Sequence, residues 1–92
     1  MRVKTVVTEQ HIARGTRRSS DSCPIALAVA EALSLPLNEG VEVNPSDIAV
    51  VYAGRLYVCD LPATAMAFIA TFDEGQPVSP LPLDLELVLE GA

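Results

Sequence analysis

The hydrophobic pattern of the chain consists of short alternating or uniformly apolar segments, each bounded by glycine, proline or polar residues. Arg2 to Val7 intersperses basic with β-branched residues, and Leu83 to Leu89 has leucine at every second position, so both segments predict strands. Val41 to Val43 predicts a short extended segment after a turn at Asn38-Glu39-Gly40. Ile48 to Asp60 predicts a β-hairpin, which supplies two more strands.

A two-residue Ala53-Gly54 turn sets the register of this hairpin. One face then carries three cross-strand pairs, which are Tyr52 with Arg55, Val50 with Tyr57, and Ile48 with Cys59. The other face carries only aliphatic residues, which are Ala49, Val51, Leu56 and Val58. Because this second face is wholly apolar, we expect it to point into the core.

A short first helix is predicted from Glu9 to Arg14. Thr8 is suited to cap it, its start is acidic and its end is basic, and Gly15 follows as a stop signal. The polar segment that comes next, from Thr16 to Ser22, predicts a loop.

Two longer helices carry almost no charge. The first runs from Pro24 to Leu35, with Asp21 or Ser22 as its N-cap, and ends before the next proline. The second runs from Pro62 to Glu74 and ends at Gly75. A helix that is apolar nearly all round is normally covered on more than one side, so we expect a sheet on one side and a second subunit on the other.

These elements predict a single α+β domain over residues 1–92, in the order β-α-α-β-β-β-α-β. Four to five strands would form a mixed or antiparallel sheet, packed by the two apolar helices. Half of the 92 residues are hydrophobic, which is more apolar material than one small domain readily buries. The composition therefore also favours a homo-oligomer.

Charge and cysteine content narrow the function classes. The net charge is −6, which argues against a nucleic-acid-binding protein, although five of the six basic residues precede Ser20. The N-terminus lacks the pattern of a signal peptide and no uncharged run is long enough to span a membrane, so we expect a cytoplasmic protein with no membrane partner. Cys23 and Cys59 have no CxxC spacing and are predicted to be reduced, buried thiols.

The strongest candidate site is the arginine loop, residues 14–22, which leads into the first apolar helix. Its guanidinium groups, from Arg14, Arg17 and Arg18, are bidentate donors suited to phosphate or carboxylate. The Ser22 hydroxyl and the N–H groups near Cys23 would add donors at the helix N-terminus. In the alternative interpretation the arginines are solvated or pair with the acidic C-terminal half, and Asp21 occupies the helix N-terminus.

Four other residues are weaker candidates for ligand binding. Tyr52, Arg55 and Tyr57 share a hairpin face that can stack on a planar base, or they are ordinary packing residues. His11, the single histidine, can donate to a phosphate or serve as a helix cap. Neither a metal site nor a catalytic nucleophile with a base partner is discernible, so we predict a protein without cofactor that is not an enzyme.

Three segments of the chain resemble small uncharacterised proteins encoded by bacteriophages and prophages. The matching segments are His11-Ile-Ala-Arg-Gly15, Ser22-Cys-Pro-Ile-Ala-Leu-Ala28, and Phe68-Ile69 with Phe72-Asp-Glu-Gly-Gln-Pro-Val78. The resemblance implies a phage accessory protein that acts on something in the host cytoplasm. Several phage proteins of this size are ligand sponges, small α+β oligomers that sequester nucleotide-type immune signals without cleaving them.

Two functional hypotheses follow. The first is a non-enzymatic, anti-defence protein that binds a phosphate-bearing, nucleotide-like ligand through the arginine loop and the helix N-terminus. The second is a protein-interaction module that inhibits or regulates a host protein, using exposed apolar surface and the acidic C-terminal strand.

Overall fold

A computed structural model describes residues 1–36 and 39–91, and this part of the chain has an α+β fold of six strands and three helices. The elements in chain order are β1 (Arg2–Val7), α1 (Glu9–Arg14), α2 (Pro24–Ala32), β2 (Val41–Val43), β3 (Asp47–Tyr52), β4 (Arg55–Asp60), α3 (Ala63–Asp73), β5 (Leu81–Glu86) and β6 (Val88–Leu89). The α+β prediction is confirmed, with one strand more than expected. The predicted turn at Asn38-Glu39-Gly40 lies partly outside the described residues.

The strands form two antiparallel sheets instead of one. Strands β1 and β5 pair with each other, and the larger sheet has the order β2-β3-β4-β6. The segment predicted as one C-terminal strand divides at Leu87, because β5 pairs with β1 and β6 pairs with β4. Leu87 is buried between them and exchanges two 2.7 Å hydrogen bonds with Met1. The predicted alternation holds, since Leu83 and Leu85 are also buried.

Helix α2 is the centre of the core. It contacts β1 of the small sheet and β2 of the large one, and every residue from Pro24 to Ala30 is buried. Its own chain therefore covers most of its surface, so the apolar character of α2 does not require a second subunit. The homo-oligomer stays a prediction.

Helix α1 has the predicted bounds and caps. Thr8 forms a reciprocal capping box with His11. Gly15 follows the helix at φ −67°, so its backbone conformation does not require glycine. Close packing does require glycine here, because a Cβ at Gly15 would lie 2.6 Å from Cδ of Pro24. Glycine thus allows the end of α1 to approach the start of α2.

Three predictions about the apolar helices are wrong in detail. The N-cap of α2 is Cys23, not Asp21 or Ser22, and the helix ends at Ala32, where the chain turns through Ser34 at φ 56°. Helix α3 is covered on one side only.

The packed side of α3 is small. Its buried residues are Ala65 and Phe68, and the ring of Phe68 stacks on Phe72 with centroids 6.2 Å apart. Met66 lies on the opposite side and is exposed. The uncharged sequence of α3 therefore does not mean that the helix is enclosed.

The hairpin has the predicted register and the opposite orientation. Tyr52 pairs with Arg55, Val50 with Tyr57 and Ile48 with Cys59, as expected. The face bearing these pairs points into the core, where Ile48 and Val50 are fully buried. The prediction that the aliphatic face is core is therefore wrong: Val51 and Leu56 are exposed, and Ala49 and Val58 are only partly covered.

Candidate functional site

The arginine loop is held in place by backbone hydrogen bonds at three points. Thr16 N–H donates to the Ser22 carbonyl at 2.8 Å, and the Ser20 carbonyl accepts from Val43 N–H of β2 at 2.7 Å. Arg18 has a positive φ of 59°, and its N–H donates to the Asp73 carboxylate of α3 at 2.8 Å. The loop thus joins β2 to the C-terminal end of α3.

The side chains of Arg17 and Arg18 lie beside acidic residues. Both arginines line a shallow depression together with Thr16, Asp73 and Glu74. Arg17 also crosses Gly75, where a Cβ would overlap its Nη1 atom. Neither guanidinium forms an ion pair or hydrogen bond within the described residues. This neighbourhood corresponds to the alternative interpretation of the loop, in which the arginines face the acidic half of the chain.

A pocket of about 280 Å³ opens between the loop, β2 and α3. Its lining includes Arg18, Cys23, Asn44 and Asp73. One arginine and one carboxylate balance each other in this lining, so the pocket has no net positive charge. Arg14 is exposed and does not line this pocket.

The N-terminus of α2 is occupied by the protein itself. The Sγ atom of Cys23 accepts a hydrogen bond from Ala26 N–H at 3.5 Å, and the Cys23 carbonyl accepts from Leu27 N–H. Burial raises the pKa of this thiol, and the nearby N–H groups of Ala26 and Ile25 oppose the rise. The helix N-terminus predicted to receive an anion is thus closed by a neutral thiol in the core.

The hydroxyl groups of Ser19 and Ser22 are also engaged within the loop. Asp21 Oδ1 accepts from the Ser19 hydroxyl at 2.9 Å and from the Ser22 hydroxyl at 3.1 Å. Ser22 N–H donates to the Ser19 hydroxyl oxygen. These bonds stabilise the loop conformation and leave Asp21, a carboxylate, close to where an anion was expected.

His11 has a structural position. Its Nδ1 accepts from Thr8 N–H at 2.9 Å, so the neutral ring carries its hydrogen on Nε2, which lies 3.4 Å from Oε2 of Glu31. The ring is buried between α1 and α2. The structure therefore places His11 as a helix cap and does not bring it to the pocket beside Arg18.

The second part of the predicted ligand site lies elsewhere. Tyr52 and Arg55 flank the tip of the β3–β4 hairpin, and Tyr57 is half-buried on the core face. The pocket is at the other end of this sheet, beside Val43, which pairs with Ile48. Four residues of strand, about 13 Å, separate Ile48 from Tyr52. The structure therefore separates Tyr52 and Arg55 from the arginine loop.

The most distinctive surface is on the large sheet and was not predicted as a site. We call it the outer face, and it consists of Ala49, Val51, Leu56, Val58 and Val88. Val88 is 61% exposed, Val51 50% and Leu56 41%. Register places them side by side, because Val51 pairs with Leu56, and Val58 pairs with Val88.

Four carboxylates surround the outer face, and we call them the acidic rim: Glu42, Asp47, Asp60 and Glu90. Glu42 pairs with Ala49 at one edge of the sheet, and Glu90 N–H donates to the Leu56 carbonyl at the other. Asp47 and Asp60 lie opposite each other at one end. The pKa of Cys59, on the neighbouring core face, is raised by its partial burial and further by the negative charges of Asp60 and Asp47.

A sequence signal for the outer face exists. In the predicted register Asp47 shares a face with Val51, and Asp60 shares one with Val58, so charged residues already mark this side as the solvated one. The Val41-Glu42-Val43 segment gives the same indication, since its glutamate must point the same way.

Neither a metal site nor a membrane span is found in the described part of the chain. No group of three or more His, Cys, Asp or Glu side chains is arranged to hold an ion, and no helix is both long and apolar enough to cross a bilayer. Comparison with known proteins gives no match: no protein-family model fits the chain, and neither a curated protein nor a solved structure is significantly similar to it.

Proposed function

We propose that this chain is a non-enzymatic protein-interaction domain that binds another protein through the outer face. The observation that carries the proposal is the exposure of Val51, Leu56 and Val88 as neighbours on one sheet face. Contiguous exposed apolar surface with a polar border is characteristic of interaction sites on soluble proteins. If the phage setting implied by the sequence resemblance holds, the partner is a host protein that the domain inhibits or regulates.

The composition of the outer face fits an interface better than a ligand pocket. Interfaces have an apolar centre that loses its water on binding and a charged rim that stays wetter. Small-molecule sites, in contrast, are concave and enclose most of their ligand. The outer face is a sheet surface with its charges at the border, so a second macromolecular surface can cover it.

Affinity capture from a bacterial host lysate tests this proposal. The bait variants are Leu56→Asp, which places a charge within the outer face, and Val6→Asp, which places one at another exposed valine on β1. Partners retained by the wild-type chain and by Val6→Asp but lost with Leu56→Asp would support the proposal. If circular dichroism shows that both variants are folded and both capture the same partners equally well, the proposal is refuted.

Binding of a phosphate-bearing ligand is the second candidate, favoured by the unengaged guanidinium groups of Arg17 and Arg18. Arginine guanidinium groups bind phosphate through two parallel hydrogen bonds. A thermal-shift screen with nucleotides and ADP-ribose derivatives tests it, because a ligand at a hundredfold excess over its Kd adds about 2.7 kcal/mol of stability. A shift abolished in Arg17→Ala/Arg18→Ala would support ligand binding, whereas no shift with any compound would reject it.

A further inference from the structure

We infer that the partner of the outer face is a basic amphipathic helix, with an apolar stripe flanked by lysine or arginine. This inference rests on the proposed function and adds to it the chemistry of the partner. Its support comes from the charge of the rim, the lack of cations near it, and the dimensions of the apolar patch.

The acidic rim has no compensating cations within the described residues. The ion pairs among the described residues join Met1 to Glu86 and Arg2 to Asp84, and no rim carboxylate takes part in one. The nearest basic residue along these strands is Arg55, at the hairpin tip and on the opposite face. A bound partner is therefore the available source of positive charge for this surface.

One pair within the rim is unfavourable in the isolated chain. Asp47 and Asp60 are directly opposite each other in the β3–β4 ladder, where like charges destabilise a sheet. Asn44 Nδ2 donates to Asp47 Oδ1 at 2.8 Å, which satisfies one oxygen without neutralising the charge. A lysine or arginine positioned between the two carboxylates would remove the repulsion on binding.

The negative charge of the acidic rim also disfavours other kinds of partner. A second copy of this chain, docked by a two-fold axis, would bring the rim against itself, so carboxylates would meet carboxylates. Nucleic acids and anionic membranes carry the same sign of charge and are repelled for the same reason. A partner with basic residues around an apolar centre is the complementary surface.

The size of the patch matches one helix. The exposed apolar residues lie on β3, β4 and β6, which spans two interstrand spacings, or about 10 Å. An α-helix with its side chains is about 10–12 Å across. Carboxylates border the patch on three sides, so a helix lying there with its apolar stripe down would have acidic groups within reach of its flanking positions.

Two synthetic helical peptides provide the probe. Both peptides carry the same leucine stripe. One has lysine at every polar position, and the other has glutamate at every polar position. Binding is followed by fluorescence anisotropy at low and high salt, and the bound surface is mapped by amide chemical shifts of the chain. We expect the lysine peptide alone to bind, to shift amides of β3, β4 and β6 and not those of β1, and to weaken with salt.

Charge variants test the rim itself. Asp60→Asn/Glu90→Gln removes two rim charges, and the matched control Glu9→Gln/Glu74→Gln removes two charges elsewhere. Because the rim variant removes two exposed ion pairs with the peptide, we expect it to weaken binding of the lysine peptide about two- to thirtyfold, whereas the control should leave this binding unchanged. Equal weakening in both would show a general charge attraction and overturn the inference.

The remaining outcomes separate the inference from the function on which it rests. Equal binding of both peptides, or a dimer in light scattering that Leu56→Asp dissociates, would overturn the basic helix and leave the outer face as an interface. If neither peptide binds but Leu56→Asp still abolishes capture from the lysate, the basic helix is likewise overturned and the outer face remains an interface. If neither peptide binds and Leu56→Asp does not change capture from the lysate, both the basic helix and the proposed interface are overturned.

Discussion

Adjacent valines on β3 provide a direct test of which sheet face is core. Val50 is fully buried and Val51 is 50% exposed, yet they are consecutive residues of the same strand. Replacing each with alanine removes the same two methyl groups and the same strand preference. The difference between Val50→Ala and Val51→Ala therefore isolates burial.

The expected magnitudes follow from the two environments. Two buried methyl groups account for about 1.6 kcal/mol of transfer free energy at about 0.8 kcal/mol each. The cavity left at this fully buried position raises the loss at Val50 to about 2–3 kcal/mol. Val51 already meets water and leaves no closed cavity, so its loss should stay below about 1 kcal/mol.

Urea denaturation followed by circular dichroism measures both free energies of unfolding. In a domain of this size about 2–3 kcal/mol lowers Tm by about 10–20 °C, so thermal melting gives an independent reading. Equal losses for the two variants, or a larger loss for Val51→Ala, would refute the orientation described for the hairpin. A loss at Val51 that grows with protein concentration would mean that the outer face is buried between copies of the chain.

Three further predictions concern other parts of the fold. Gly15→Ala should destabilise the protein by about 1–3 kcal/mol in urea, because its Cβ would meet the buried ring of Pro24; an unchanged midpoint would contradict this. Hydrogen bonds from the Arg2 guanidinium lower the pKa of Asp84 below its ordinary value of 3.8. The pair therefore stabilises the fold above pH 3.8, and this stabilisation is lost as the pH falls through the pKa of Asp84 in the folded state. Asp84→Asn should therefore flatten the acid limb of the stability profile, and an unaltered limb would count against the pair. Cys59, being half-buried, should react with a thiol reagent before Cys23, which is buried, and the reverse order in mass spectrometry would contradict the burial.

Local signals in the sequence predicted most of the secondary structure. Helix α1 was predicted with its bounds and cap because Thr8, His11 and Gly15 act within a few residues of one another. The hairpin register was predicted because a two-residue turn leaves one pairing of the flanking strands. The second sheet was missed because its pairing, β1 with β5, joins residues about 80 positions apart, and no local pattern specifies such a contact.

The candidate site was predicted less well for a related reason. The sequence places Arg17 and Arg18 next to a helix N-terminus, but it does not show that Asp73 returns from α3 to the same place. Nor does it show that Cys23 turns its sulfur onto the first turn of α2. Both contacts depend on tertiary packing, and together they place a carboxylate and a capped helix start next to the predicted anion site, which stays a prediction.

The inverted hairpin is itself an argument for function. Hydrophobicity alone would bury Val51, Leu56 and Val58, and expose the face that carries Tyr52 and Arg55. The fold does the reverse because β2 and β3 must place Glu42 and Asp47 in water, and strand alternation then carries the aliphatic residues to the same side. Val51 and Leu56 are exposed in the described part of the chain, so threonine or lysine at these two positions would satisfy the same register. An exposed apolar surface, bordered by carboxylates that form no ion pair within the described residues, is what the proposed binding of a basic partner requires.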